Sequence, residues 1–251
     1  MDLIAIDSHT HINHGHPEDS STEQTPIYSA KTDWLYRVND GAGIGKMLCS
    51  TFASVRTTEY IVEENEYLFD LAGREDRLYQ WVVMDPRIPQ TFEQAERMLA
   101  GDKTVGIKLH PLLHKYSLPQ YADALFSFAA KRKAVVLIHP EEQPDYIIPI
   151  ADRYPDVTFI VAHLGDEHYV DAVAYARHGN VWTDTSGIAS SKNALLEYAV
   201  ERIGSERILF GTDTYAAGFQ RGRVEYALIS GRDKKNILRD NALRLFGGKL
   251  K

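Results

Sequence analysis

Cysteine is nearly absent from this chain: Cys49 stands alone among 251 residues. One thiol excludes an intrachain disulfide and any zinc site built from cysteines. Basic residues are also in deficit, 28 against 35 acidic ones, for a net charge of −7. A nucleic-acid surface requires a basic excess, so none is expected, although a local Arg or Lys can still dominate a pocket for an anionic substrate. No stretch approaches the roughly 18 consecutive apolar residues of a membrane span. The opening Met1-Asp2-Leu3-Ile4-Ala5-Ile6-Asp7 carries no basic segment and only a short apolar run, unlike a secretory signal, and a cytoplasmic location is expected. Two-residue hairpin turns, internal repeats, low-complexity tracts and interdomain linkers are likewise missing.

What is present is an alternation. Short β-branched runs at Leu3–Ser8, Lys46–Ser50, Tyr79–Met84, Val105–Leu109, Ala134–Ile138, Thr158–Ala162, Val181–Thr185 and Ile208–Thr212 read as strands. Amphipathic segments follow them, at Glu59–Ala72, Phe92–Leu99, Tyr121–Lys131, Tyr146–Arg153, Val170–Ala176, Ala194–Ile203 and Lys235–Phe246. Gly101, Gly204 and Gly247 stand where helix C-caps belong. Strands separated by helices imply parallel βαβ units. Eight units in about 250 residues predict a single (β/α)8 TIM barrel over residues 1–251. A doubly wound open sheet would want a glycine-rich phosphate loop after its first strand, and here that strand runs into His9-Thr10-His11. A long loop at about 12–45, with few helix signals, follows the first strand on the face where barrel enzymes keep their chemistry.

The ten histidines carry the functional signal. His9 and His11 close the first strand, His139 the fifth and His163 the sixth, while Asp213 closes the eighth. Side chains two apart share a strand face, so His9 and His11 point the same way. Each of the other three ends an otherwise apolar strand, where an unpaired ionisable group is costly. Imidazoles and a carboxylate converging on one mouth suit a divalent ion such as Zn2+. A lone strand-end histidine is ordinarily a hydrogen-bonded structural residue; five such groups at one mouth are not.

Asp7-Ser8-His9-Thr10-His11, Gly106-Ile107-Lys108-Leu109-His110-Pro111, Ile138-His139-Pro140, His163-Leu164-Gly165 and Gly211-Thr212-Asp213 occur in an order that resembles the amidohydrolase superfamily. Within it, the chain is similar to the amidohydrolase-related branch that includes aminocarboxymuconate-semialdehyde decarboxylase. The closing segment Asn236–Phe246 resembles that branch's last helix. The resemblance implies one divalent metal, Zn2+ by expectation, on His9, His11, His139 and Asp213, with His163 and Asp213 as the catalytic pair. It leaves Lys108 open between a carboxylated ligand bridging two ions, a cation for a substrate carboxylate, and the partner of a buried acid; an unmodified, inward lysine is expected. His110, Arg37 and Asp184 join Lys108 as substrate-binding candidates, with Tyr215 and Arg221 close behind Asp213. Trp34 and Tyr36 are candidate caps, Thr185 and Ser186 should face the same mouth, and His14, His16, His168 and His178 should lie at the surface.

The leading expectation is hydrolysis of a C–N or C–O bond in a small organic molecule by metal-activated water. The alternative is non-oxidative decarboxylation or C–C cleavage of a small carboxylic acid on the same site. A non-catalytic barrel would have eroded the inward polar set, which is complete here. Dimers are common for such enzymes, and the oligomeric state is left open.

Overall fold

The structure is a computed structural model, and it describes residues 3–13 and 31–250. Eight parallel strands lie in sequence order: β1 (Ala5–Ile12), β2 (Ile44–Thr51), β3 (Leu78–Val83), β4 (Thr104–Leu109), β5 (Val135–Ile138), β6 (Thr158–Val161), β7 (Val181–Asp184) and β8 (Ile208–Leu209). The last seam is closed by single backbone bonds: Ser8 N–H donates to Phe210 O, and the Thr212 and Asp213 N–H groups both donate to His9 O. The chain is a (β/α)8 barrel, as its alternating pattern predicts.

Strand side chains divide by face. Ile6, Leu48, Trp81, Leu137, Ile160 and Leu209 form one cluster inside the barrel. Val82, Ile107, Val136, Ile138, Phe159 and Val161 pack outward against helices. Trp81 fills the barrel interior because Gly106 leaves room: a Cβ there would meet the indole at 2.5 Å. Phe246 of the last helix, Asn241–Phe246, meets Trp81 edge-on at 5.5 Å and plugs the lower end. The helix Leu118–Lys131 illustrates the outer layer. Leu118, Ala122, Leu125, Phe126 and Ala129 are its buried positions, a stripe at helical spacing. Burying Phe126 alone contributes about 1.5–3 kcal/mol.

The reading of a helix-poor loop over 12–45 is corrected. β1 runs to Ile12, and Thr32–Gly41 forms a helix, α1, that leads into β2. Its signal was weak because only Leu35 and Asn39 are buried on it, and Asn39 is polar; it holds that position by donating to Met47 Sδ at 2.9 Å. His14 and His16 lie outside the described residues. No helix among the described residues is long and apolar enough to cross a membrane.

Candidate metal centre

The β1–β2 pairing shifts register twice, between Ala5 and Ile6 and again between Asp7 and Thr10, and the second shift aims the first two histidines. Asp7 pairs with Met47 and Thr10 with Cys49, so β1 carries one residue more than β2 across that interval. Such a bulge reverses which residues face inward. Ile6 before it packs inside the barrel, and His9 and His11 after it also face the interior, where strict alternation from Ile6 would have turned them out. The apolar floor thus gives way to a polar mouth.

His9 is held from behind. Its Nδ1–H donates to Asp184 Oδ2 at 3.0 Å, and Asp184 is fully buried. That bond leaves Nε2 as the unprotonated nitrogen, 3.7 Å from Asp213 Oδ1. His11 is fixed the same way: Ser50 Oγ stands 2.9 Å from Nδ1, and Nε2 approaches Asp213 Oδ1 at 3.0 Å. One donor atom from each of His9, His11 and Asp213 lies within 4.8 Å of the others. Two imidazoles and a carboxylate, each imidazole oriented through its second nitrogen, make a donor set that fits a divalent ion. A second group of three, His9, His163 and Asp184, has the same spacing. There His9 Nδ1 is already spent on the Asp184 hydrogen bond, so this group is a hydrogen-bonded network behind the first.

Backbone strain places the remaining groups. His163 has φ +68°, Asp213 +54° and Thr214 +70°, left-handed values that non-glycine residues rarely adopt. The turn after β8 is pinned by Thr214 Oγ1, which accepts from His11 N–H at 2.6 Å and donates to His11 O at 2.6 Å. Gly211 clears space between strands: a Cβ there would sit 3.0 Å from His9 Cβ and 3.1 Å from Asp184 Oδ1.

Burial sets the protonation of the mouth. It pushes the His9, His11 and His163 imidazoles down, and His139 to about 3, so all four are neutral. Burial would raise Asp213, but the hydrogen bond and charge of His11 hold it well below the usual carboxylate range. Asp7 goes the other way, to about 8, because burial outweighs its bonds from Thr212. Lys108 is fully buried, with Nζ donating to His9 Nε2 at 3.0 Å, and burial lowers it to about 8 against the pull of Asp213 and Asp184. An ion on His9 Nε2 would therefore share its surroundings with the Lys108 ammonium as well as with the two carboxylates.

The other candidates fall as follows. His139 stands outside both groups of three, stacked on His110 at 4.2 Å and edge-on to His163 at 4.9 Å. His110 accepts from Leu113 N–H through Nδ1 and is nearly buried. Asp184, expected at the substrate, spends its oxygens on His9 and Ser186 instead. Arg37 lies exposed on α1 with its guanidinium 4.7 Å over Trp34. Its neighbour Tyr36 donates to Glu75, which precedes β3 at the opposite end of the barrel. Arg221 also points to that end, donating to Leu3 O, Ala42 O and Gly43 O. Neither arginine is brought to the mouth, because the helices that carry them run away from it. Tyr215 is half-exposed at the rim, 6.1 Å from Phe52. His168 is exposed and paired with Asp145, and His178 is exposed. Ser50 went unnoticed in the sequence; its signal was a polar residue closing a buried strand.

Residues 6–248 match the amidohydrolase family. The chain belongs to that family. Its fold is shared with 2,6-dihydroxybenzoate decarboxylase from Rhizobium, at 18% identity over 97% of this chain and 98% of that one, TM-score 0.71. A dihydroxybenzoic acid decarboxylase from Polaromonas, solved with manganese and 2-nitroresorcinol, matches at 18% identity, 97% and 96% coverage and TM-score 0.70. A protein from Pseudomonas putida assigned as a 2-pyrone-4,6-dicarboxylic acid hydrolase matches at 19% identity, with 99% of each chain covered and TM-score 0.72. At these identities the likeness speaks for the fold of this amidohydrolase and not for its substrate.

Proposed function

We propose that this amidohydrolase is a metal-dependent lyase that releases CO2 from a small aromatic or otherwise conjugated carboxylic acid.

 The observation that carries the reading is the charge count at the mouth. Asp184 and Asp213 are ionised, Asp7 is held mostly protonated, and Lys108 is mostly charged at neutral pH. The two carboxylates balance a divalent ion, and the charge of Lys108 is left over in a low-dielectric site, matching one substrate carboxylate. The proteins of this fold named above that act on hydroxybenzoates, and the one assigned to a pyrone dicarboxylic acid, all handle carboxylic acids, which supports the same class.

When bound, a divalent ion supplies positive charge that orients and polarises a carboxylate or carbonyl; manganese and zinc both suit nitrogen and oxygen donors. His9, His11 and Asp213 would hold it, with His139 at the edge of the same mouth. In decarboxylation the C–C bond to the carboxylate breaks, its electron pair stays on carbon, CO2 leaves, and a proton takes its place. His163, only partly buried, is the group suited to take that proton from solvent and pass it to carbon, because Asp213 is too acidic to hold one. Lys108 stays beneath His9 as fixed charge.

Hydrolysis, which the sequence put first, becomes the second reading. It is favoured by one observation: His163 is neutral, so it can accept a proton from water. Protein reconstituted with Mn2+ or Zn2+ separates the two when offered hydroxybenzoic acids on one side and lactones, esters and amides on the other. CO2 release from the acids, falling by about 10²–10⁴-fold in His163→Ala with metal content retained, is the expected result. Turnover of lactones or amides without CO2 release from any acid would replace the lyase with the hydrolase.

A further inference from the structure

The loop after β7 makes a contact with His163 that its role as a proton carrier requires. Ser186 Oγ donates to Asp184 Oδ1 through its single proton. Toward every other neighbour that hydroxyl is therefore an acceptor. Two imidazole nitrogens meet it, His9 Nδ1 at 3.0 Å and His163 Nδ1 at 3.0 Å. The carbonyl oxygen of Ser186, which can only accept, lies 3.2 Å from the same His163 Nδ1. Two acceptors on one nitrogen require that nitrogen to carry the proton. Gly187 completes the arrangement: its φ is +71°, and a Cβ there would lie 2.7 Å from His163 Nδ1. Only glycine lets the ring sit down on the turn.

We propose that Ser186 and Gly187 form a seat that holds His163 in one tautomer, with the proton on Nδ1 and the lone pair of Nε2 turned away from the loop. Ser186 is then a positioning residue: it sets which nitrogen of His163 exchanges protons. Through the same hydroxyl it also ties His163 to His9, so the proton carrier and the first imidazole of the metal centre share one anchor. The inference rests on the reading that His163 moves the proton, and its first measurement is independent of that reading.

The test is long-range 1H–15N correlation of the histidine side chains in Zn2+-loaded protein at neutral pH, with His163→Gln identifying the signal. The expected spectrum has His163 Nδ1 at a protonated, pyrrole-type shift and Nε2 at an unprotonated, pyridine-type shift. A protonated Nε2 in the unaltered protein overturns the proposal without any variant. In Ser186→Ala the loss of one acceptor should mix the tautomers and lower kcat for CO2 release about tenfold, with KM changed less than twofold. An unchanged tautomer in that variant overturns the proposal whatever kcat does. The expected spectrum in a protein that releases no CO2 would sustain the seat and discard the lyase.

Discussion

Replacing Lys108 with methionine removes a buried ammonium and keeps a chain of similar length. Its charge costs stability: burial lowers its pKa from 10.5 to about 8, and each unit is worth about 1.4 kcal/mol, so holding the charge at neutral pH costs about 3 kcal/mol. The sign follows from proton counts. Between about pH 8 and 10.5 the unfolded chain binds more protons than the folded one, so the unaltered protein gains stability as pH rises through that window, and Lys108→Met does not. The substitution should therefore raise stability at pH 7 by up to about 3 kcal/mol, with the difference shrinking by pH 10. The same charge should serve binding. A carboxylate seated beyond the His9 ring, at roughly 7 Å from Nζ and an effective dielectric near 20, gains about 2 kcal/mol from it, roughly thirtyfold. Urea unfolding at pH 7 and 10 reads the first quantity, and titration calorimetry of 2,6-dihydroxybenzoate against metal-loaded protein reads the second. Unchanged affinity for the carboxylate would refute the charge-count argument; lower stability at pH 7 would refute the cost assigned to the buried charge.

Three further outcomes follow from particular contacts. Asp7 is held near pKa 8, far above its unfolded value, so the folded state binds the extra proton and stability should fall as pH rises from about 4 to 8; Asp7→Asn should flatten that slope in urea unfolding of metal-free protein. Gly211→Ala places a methyl 3.0 Å from His9 Cβ and should weaken metal binding by about 10–100-fold, read by competition with a chelator. Arg221→Ala breaks bonds to Leu3 O, Ala42 O and Gly43 O at the far end of the barrel and should cost about 2 kcal/mol of stability while leaving metal content unchanged.

The alternation of β-branched runs with amphipathic helices was enough to determine the barrel, because strand and helix periods are local properties of the chain. It also pointed to one mouth, since His9 and His11 end the first strand and His139, His163 and Asp213 each close an apolar one. The tertiary structure decided three things that no local pattern carries. The extra residue in β1 turned His9 and His11 inward, and its presence is visible only against the register of β2. The left-handed backbone at His163 and Asp213 aimed those side chains, and neither residue type signals it. Finally, Asp184 became the partner of His9 and Arg37 and Arg221 left the site, because a side chain's partners depend on strands and helices far apart in sequence. Residue type and strand end identify a candidate; only the packing of eight strands determines which of its atoms faces the mouth.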